Sequence, residues 1–140
     1  MAIRLSIDFV MTLLFVVSLA FRLTAEIGRR YGTFDWVVLD AGQYDSRWAN
    51  VHMTPEQATQ AAEDLRAKVL MPGHIGRFSI SRHDWDDPFK RITVASQGRD
   101  YALWTPEIGR PIFLDGRTQK FTRWWEAVSA SRSSAISRMR

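Results

Sequence analysis

The stretch Thr54-Pro55-Glu56-Gln57 constrains the fold more than any other feature of this chain, because it fixes where a helix begins and so where its flanks must run. Threonine caps a helix with its side-chain oxygen, proline suits the first helical position, and a glutamine three residues after the threonine completes a capping box. The apolar residues that follow, Ala58, Ala61, Ala62, Leu65 and Val69, keep the spacing of one buried helix face, and the small alanines allow it to lie close against a sheet. Before this helix, residues 34–40 read as a buried strand; after it, Lys68-Val69-Leu70-Met71-Pro72 reads as a second. Strand, capped helix, strand is a βαβ-like step, which predicts an α/β chain.

The same signals extend the pattern in both directions. Residues 24–31 predict a short helix stopped by Gly32. Trp85-Asp86-Asp87-Pro88 predicts another helix, running to about Gln97 and closed by Gly98, with its two carboxylates favoured by the helix dipole. Residues 101–104 and 110–114 are the last strand candidates, and residues 122–128 a terminal helix that packs Trp124 or Trp125.

At 140 residues, 46% of them hydrophobic, the chain suffices for one packed domain and not for two independent cores. It has no cysteine, which removes disulfide scaffolds, thiolate metal sites and a cysteine nucleophile. Any metal must rest on histidine and carboxylate. The net charge of +4 raises the question of a nucleic-acid partner, and the answer lies in its distribution. Residues 1–114 balance thirteen Lys/Arg with thirteen Asp/Glu, whereas residues 115–140 hold six basic residues against Asp115 and Glu126. A neutral body with a Ser/Arg-rich basic tail reads as a solvated, frayed terminus, and no nucleic-acid partner is expected. At the other end, residues 9–21 form an uncharged run of thirteen residues between Asp8 and Arg22, short of the roughly 20 that a spanning helix needs. Three readings stay open for it: a secretion signal, with Arg4 ahead and Ser18-Leu19-Ala20 as a cleavage site; a buried element of the domain; or sequence foreign to the fold.

Three histidines carry what chemistry the sequence offers. His52, His74 and His83 are separated by 22 and 9 residues, so no two chelate from one helical turn or from alternate strand positions. His74 follows an apolar strand, between Gly73 and nearby Gly76, on a turn that would aim an imidazole from a sheet edge; a histidine simply hydrogen-bonded in the fold is the commoner outcome. His52 stands two residues before the capped helix, where it could meet an anion at the helix start or pack in its loop. His83, between Arg82 and Asp84, reads as a surface residue. The loop from Ala41 to Met53, with Gln43, Tyr44, Asp45, Arg47, Trp48 and His52, is richer in polar and aromatic groups than a connector requires. No Gly-x-Gly-x-x-Gly, phosphate-binding loop or Gly-x-Ser-x-Gly elbow occurs, and no residue is assigned as catalytic.

Taken together, Tyr31-Gly32-Thr33-Phe34-Asp35, Gly42-Gln43-Tyr44-Asp45-Ser46-Arg47-Trp48, Val51-His52-Met53-Thr54-Pro55-Glu56-Gln57-Ala58, Leu70-Met71-Pro72-Gly73-His74-Ile75-Gly76-Arg77-Phe78 and Trp85-Asp86-Asp87-Pro88 resemble the carboxy-terminal part of metallo-β-lactamase-fold hydrolases. Within that superfamily they look most like the branch containing the N-acylphosphatidylethanolamine-hydrolysing phospholipase D. The resemblance implies an αββα sandwich whose two-metal centre, usually zinc, activates a water for hydrolysis of a phosphodiester or ester. It implies that His74 is a metal ligand and that His52 lies near the site, as a substrate-side group or as one that supports a ligand from behind. Ile75 and Arg77 depart from the usual aromatic residue and threonine. The family's His-x-His-x-Asp-His motif is absent, and Val16-Val17-Ser18-Leu19-Ala20-Phe21 stands where a bridging aspartate turn is expected.

These readings combine into one expectation: an apolar segment at 1–22, the carboxy-terminal half of an αββα sandwich at 23–114, and a terminal helix with a basic tail at 115–140. Its parent activity is metal-dependent hydrolysis of a small-molecule or lipid phosphodiester, and the chain is expected to be inactive alone because one imidazole cannot hold two zinc ions. Half a sandwich is expected to leave some of the six tryptophans without a dry environment, to be covered by a homo-oligomer, a complementing chain or membrane contact through residues 9–21. The expected location is cytoplasmic. Two other classes are carried beside it, a secreted or membrane-attached module and an interaction protein using its basic tail.

Overall fold

A computed structural model describes residues 23–76 and 80–138; the apolar run 9–21, and Arg77 and Phe78 of the histidine loop, lie outside the described residues. Helix α1 spans Thr24–Tyr31 and ends at Gly32, whose φ of 85° is the left-handed geometry that a glycine stop supplies. Strand β1 is Val37–Asp40. A 3-10 turn at Ser46–Trp48 interrupts the following loop, and helix α2 is Pro55–Asp64. Strand β2 is Val69–Gly73, helix α3 Asp87–Ala95, strand β3 Ala102–Leu103 and helix α4 Trp124–Arg138.

The three strands form one parallel sheet in the order β1-β2-β3, so β1-α2-β2 and β2-α3-β3 are successive crossover steps. Val37 pairs with Leu70 and Asp40 with Gly73, which sets the carboxyl ends of β1 and β2 side by side. The fold class is therefore α/β, as the pattern of alternating elements requires. The capping box forms as its residue types dictate: Thr54 Oγ1 accepts from the Gln57 N–H at 3.2 Å, and Gln57 Oε1 accepts from the Thr54 N–H at 2.8 Å. Ala58, Ala61, Ala62 and Leu65 are fully buried with Val37, Leu39, Leu70 and Ile92, so α2 is the helix that covers the sheet, with α1 and α3 packed on it. Gly28 of α1 lies so close to the end of α2 that a Cβ would fall on the Asp64 carbonyl oxygen.

Several expectations are corrected. Val69 is no part of the α2 face: the helix ends at Asp64, Arg66 takes a φ of 53°, and the chain turns so that Val69 begins β2. The first strand is shorter than 34–40, because a bend at Asp35 leaves Phe34 only an isolated bridge to Ala67. Residues 110–114 form no strand. Gln119 instead donates to the Phe113 carbonyl at 2.7 Å and accepts from its N–H at 3.1 Å, which satisfies that backbone without a sheet.

The tail is not a frayed terminus throughout, because α4 continues to Arg138 and is anchored at its start. Trp125, 2% exposed, stacks on Phe89 at 4.7 Å, and Ser129 donates to Asp86. None of the six tryptophans is exposed: Trp104 and Trp125 are buried and the other four half-buried, with Trp85, Phe89, Trp124 and Trp125 in contact with one another and Trp104 against Phe121. Among the described residues no helix is long and apolar enough to cross a membrane.

Candidate functional site

Parallel strands release their chains at one edge, so residues far apart in sequence meet where β1 and β2 end. Asp40 is the last residue of β1 and His74 the first after β2. The Ala41 N–H donates to the Gly73 carbonyl at 3.2 Å, extending the ladder one step past the strand. Gly42 then passes so close to the His74 carbonyl oxygen that no Cβ fits between them. His74 takes a φ of 60°, a left-handed conformation that histidine seldom adopts and that turns the chain sharply off the sheet.

The loop from Ala41 to Met53 returns His52 to this edge. The His52 ring stacks on that of His74 with centroids 5.0 Å apart. Its Nδ1 lies 3.0 Å from Asp40 Oδ2, which also accepts the Met53 N–H at 3.2 Å, while Oδ1 accepts the Gly42 N–H at 3.3 Å. Asp40 is the residue that sequence reasoning missed. It looked like the polar end of a buried strand; an acidic residue at a strand's carboxyl end, twelve residues before a loop histidine, was the available signal.

His74 is exposed, its ring stacked on His52. His52 is shielded, its side chain 17% exposed, and Asp40 more so at 6%. The two sequence-predicted site residues are thus brought together, while His83 belongs elsewhere. It is not a free surface residue: its Nδ1 lies 2.7 Å from the Asp84 carbonyl oxygen, its Nε2 accepts the Gln43 N–H at 3.0 Å, and its ring stacks on Tyr44 at 4.4 Å.

This second cluster holds the loop in shape. Gln43, at a φ of 59°, accepts from the Ile80 N–H through its side chain at 2.9 Å and from the Trp48 indole through its carbonyl at 2.6 Å. Tyr44 donates to Asp87 of α3, and Arg91 lies over its ring at 4.6 Å while pairing with Glu56 of α2. Burial and the Asp87 carboxylate raise the Tyr44 pKa beyond its ordinary value, so the phenol stays protonated and donating. The density of polar and aromatic groups in this loop is explained by these ties to two helices.

The fit to a metal follows from the donor set. Among the described residues no group of three or more His, Asp or Glu side chains is arranged to hold a metal ion. Two imidazoles are adjacent, but the Asp40 carboxylate beside them is engaged by His52 and two backbone N–H groups. A catalytic zinc takes three protein ligands and a paired centre takes more, so these residues do not by themselves fit the two-zinc group.

Residues 19–75 match the beta-lactamase superfamily domain, an interval that ends one residue past His74. Uncharacterized proteins of Mycobacterium tuberculosis (strain H37Rv) and Mycobacterium bovis are 30% identical over 103 residues, covering 71% of this chain and 27% of theirs. An outer membrane protein of Klebsiella pneumoniae, RomA, is 47% identical over 51 residues, 36% of this chain and 39% of its own. The domain match supports the metallo-β-lactamase-fold superfamily and a hydrolase fold. The chain spans little more than a quarter of the length of the mycobacterial relatives.

Proposed function

We propose that these residues are the carboxy-terminal part of a metal-dependent hydrolase of the metallo-β-lactamase fold, in which His74 faces the metal and His52 the substrate. The observation that carries the reading is the meeting of His52 and His74 at the carboxyl ends of adjacent parallel strands, with an imidazole stack at 5.0 Å. A mere packing histidine gains nothing from an exposed position and a left-handed backbone. The phosphodiester-cleaving branch is the finer part of the proposal, supported by the Val51-His52-Met53-Thr54-Pro55-Glu56-Gln57 and Gly73-His74-Ile75-Gly76 stretches.

The donor shortage sets the second part of the reading. No hydrolytic step is assigned to these residues by themselves, and the missing ligands come from outside the Asp40–His52–His74 group. Turnover of bis(4-nitrophenyl) phosphate by the purified chain, with and without added zinc, is the test. The proposal expects no zinc-dependent turnover above a His74→Ala control. Robust zinc-dependent hydrolysis by the chain alone, lost in His74→Ala, would keep His74 as ligand and overturn the incompleteness.

A further inference from the structure

Three polar atoms converge on Asp40, and their chemistry decides which way His52 is turned. The Met53 and Gly42 N–H groups can only donate, so the carboxylate accepts from both. Oδ2, shared between Met53 at 3.2 Å and His52 Nδ1 at 3.0 Å, is an acceptor toward the ring as well. Nδ1 then carries the proton, and in the neutral imidazole Nε2 keeps its lone pair. The side chain that does this is itself 6% exposed, so water competes poorly for it.

We propose that Asp40 is a positioning residue that locks His52 in the Nδ1–H tautomer and makes Nε2 the proton acceptor of the site, taking a hydrogen bond from water or a substrate hydroxyl. The inference rests on the reading of this edge as a hydrolytic site and extends it to the partner of His52. The rival use of His52, helping the start of α2 bind an anion, has fewer donors to draw on, because the capping box occupies two of the N–H groups there. The Thr54 and Gln57 N–H groups are taken by Gln57 Oε1 and Thr54 Oγ1. A lone pair on Nε2 also repels an oxyanion and attracts an O–H.

The chain contains its own reference. His83 Nδ1 faces a carbonyl oxygen, which can only accept, and its Nε2 accepts from the Gln43 N–H, so His83 is an Nδ1–H imidazole for reasons independent of Asp40. The test is long-range proton–nitrogen correlation NMR of the 15N-labelled full chain without metal, at a pH about two units above the ordinary imidazole pKa of about 6.5. The His52 signals are assigned by their loss in His52→Asn. The expected result is an Nδ1–H pattern for His52 matching that of His83, shifting toward Nε2–H in Asp40→Asn while His83 stays as it was. An Nε2–H pattern for His52 in the unaltered chain, or a pattern unchanged in a folded Asp40→Asn protein, would overturn the proposal. A purely structural role for Asp40 lowers stability in the variant without moving the tautomer. Because no metal or turnover enters the readout, the result stands apart from the hydrolase reading, which the phosphodiester assay tests.

Discussion

Glycine at position 28 illustrates how one residue type sets the spacing between elements. Its α-hydrogen faces the Asp64 carbonyl, and Thr24 Oγ1 donates to Asp64 Oδ2 at 3.0 Å one turn earlier, so α1 is seated on the end of α2 by a close approach and a hydrogen bond together. Gly28→Ala is expected to destabilise the protein by about 2 kcal/mol through overpacking against backbone that cannot yield, read from a urea midpoint. Thr54→Ala removes half of the capping box and is expected to cost about 1 kcal/mol in the same measurement. Thr54 was fully legible in the sequence because a cap is local: the residue and its partner lie three positions apart. Gly28 and Asp40 were not, since their roles depend on Asp64 and His52, which only the tertiary fold brings near.

Helix α4 shows what happens at the level of an element when local signals are thin. The sequence marked its start through the tryptophan pair but not its length, because the Ser/Arg-rich stretch has no apolar face to report a helix and little besides its first turns is held. The anchor combines the Trp125–Phe89 stack with Asp86, which accepts from Ser129 and pairs with Lys90 at 2.8 Å. Burial pushes the Asp86 pKa up, but hydrogen bonds from Lys90 and Ser129 outweigh it and leave the carboxyl below its ordinary value. A carboxyl depressed in the folded state contributes stability above its unfolded pKa of about 3.9 and loses it as pH falls through the folded value. Docking of α4 is therefore expected to be constant through neutral pH and to weaken only below about pH 4. Tryptophan fluorescence against pH checks this, with Asp86→Asn removing the acid transition; a loosening centred near neutrality would contradict it. The β strands pose the opposite case, since 110–114 has strand composition yet Phe113 and Leu114 stay exposed and pair with nothing in the sheet. Apolar content alone did not distinguish it from β2; a capped crossover helix did.

For the whole molecule, alternation of elements was enough to read an α/β chain, because two parallel crossover steps leave periodic marks along the sequence. The site was half legible. His74 stood out by its glycine-flanked position after a strand, and His52 by its place before a capped helix, but their stacking follows from strand register, with Asp40 beside Gly73. Of the tryptophans expected to lack shelter, Trp125 is buried and Trp124 half-buried because both pack on Phe89 of α3. In the proposed function, His74 is one ligand of a metal centre whose other ligands lie outside the Asp40–His52–His74 group. Zinc stoichiometry by elemental analysis after exhaustive dialysis, for the unaltered chain and for His74→Ala, tests it most directly. Less than one tightly held zinc per chain is expected, with any residual binding abolished by His74→Ala. Two zinc ions retained per chain would contradict it.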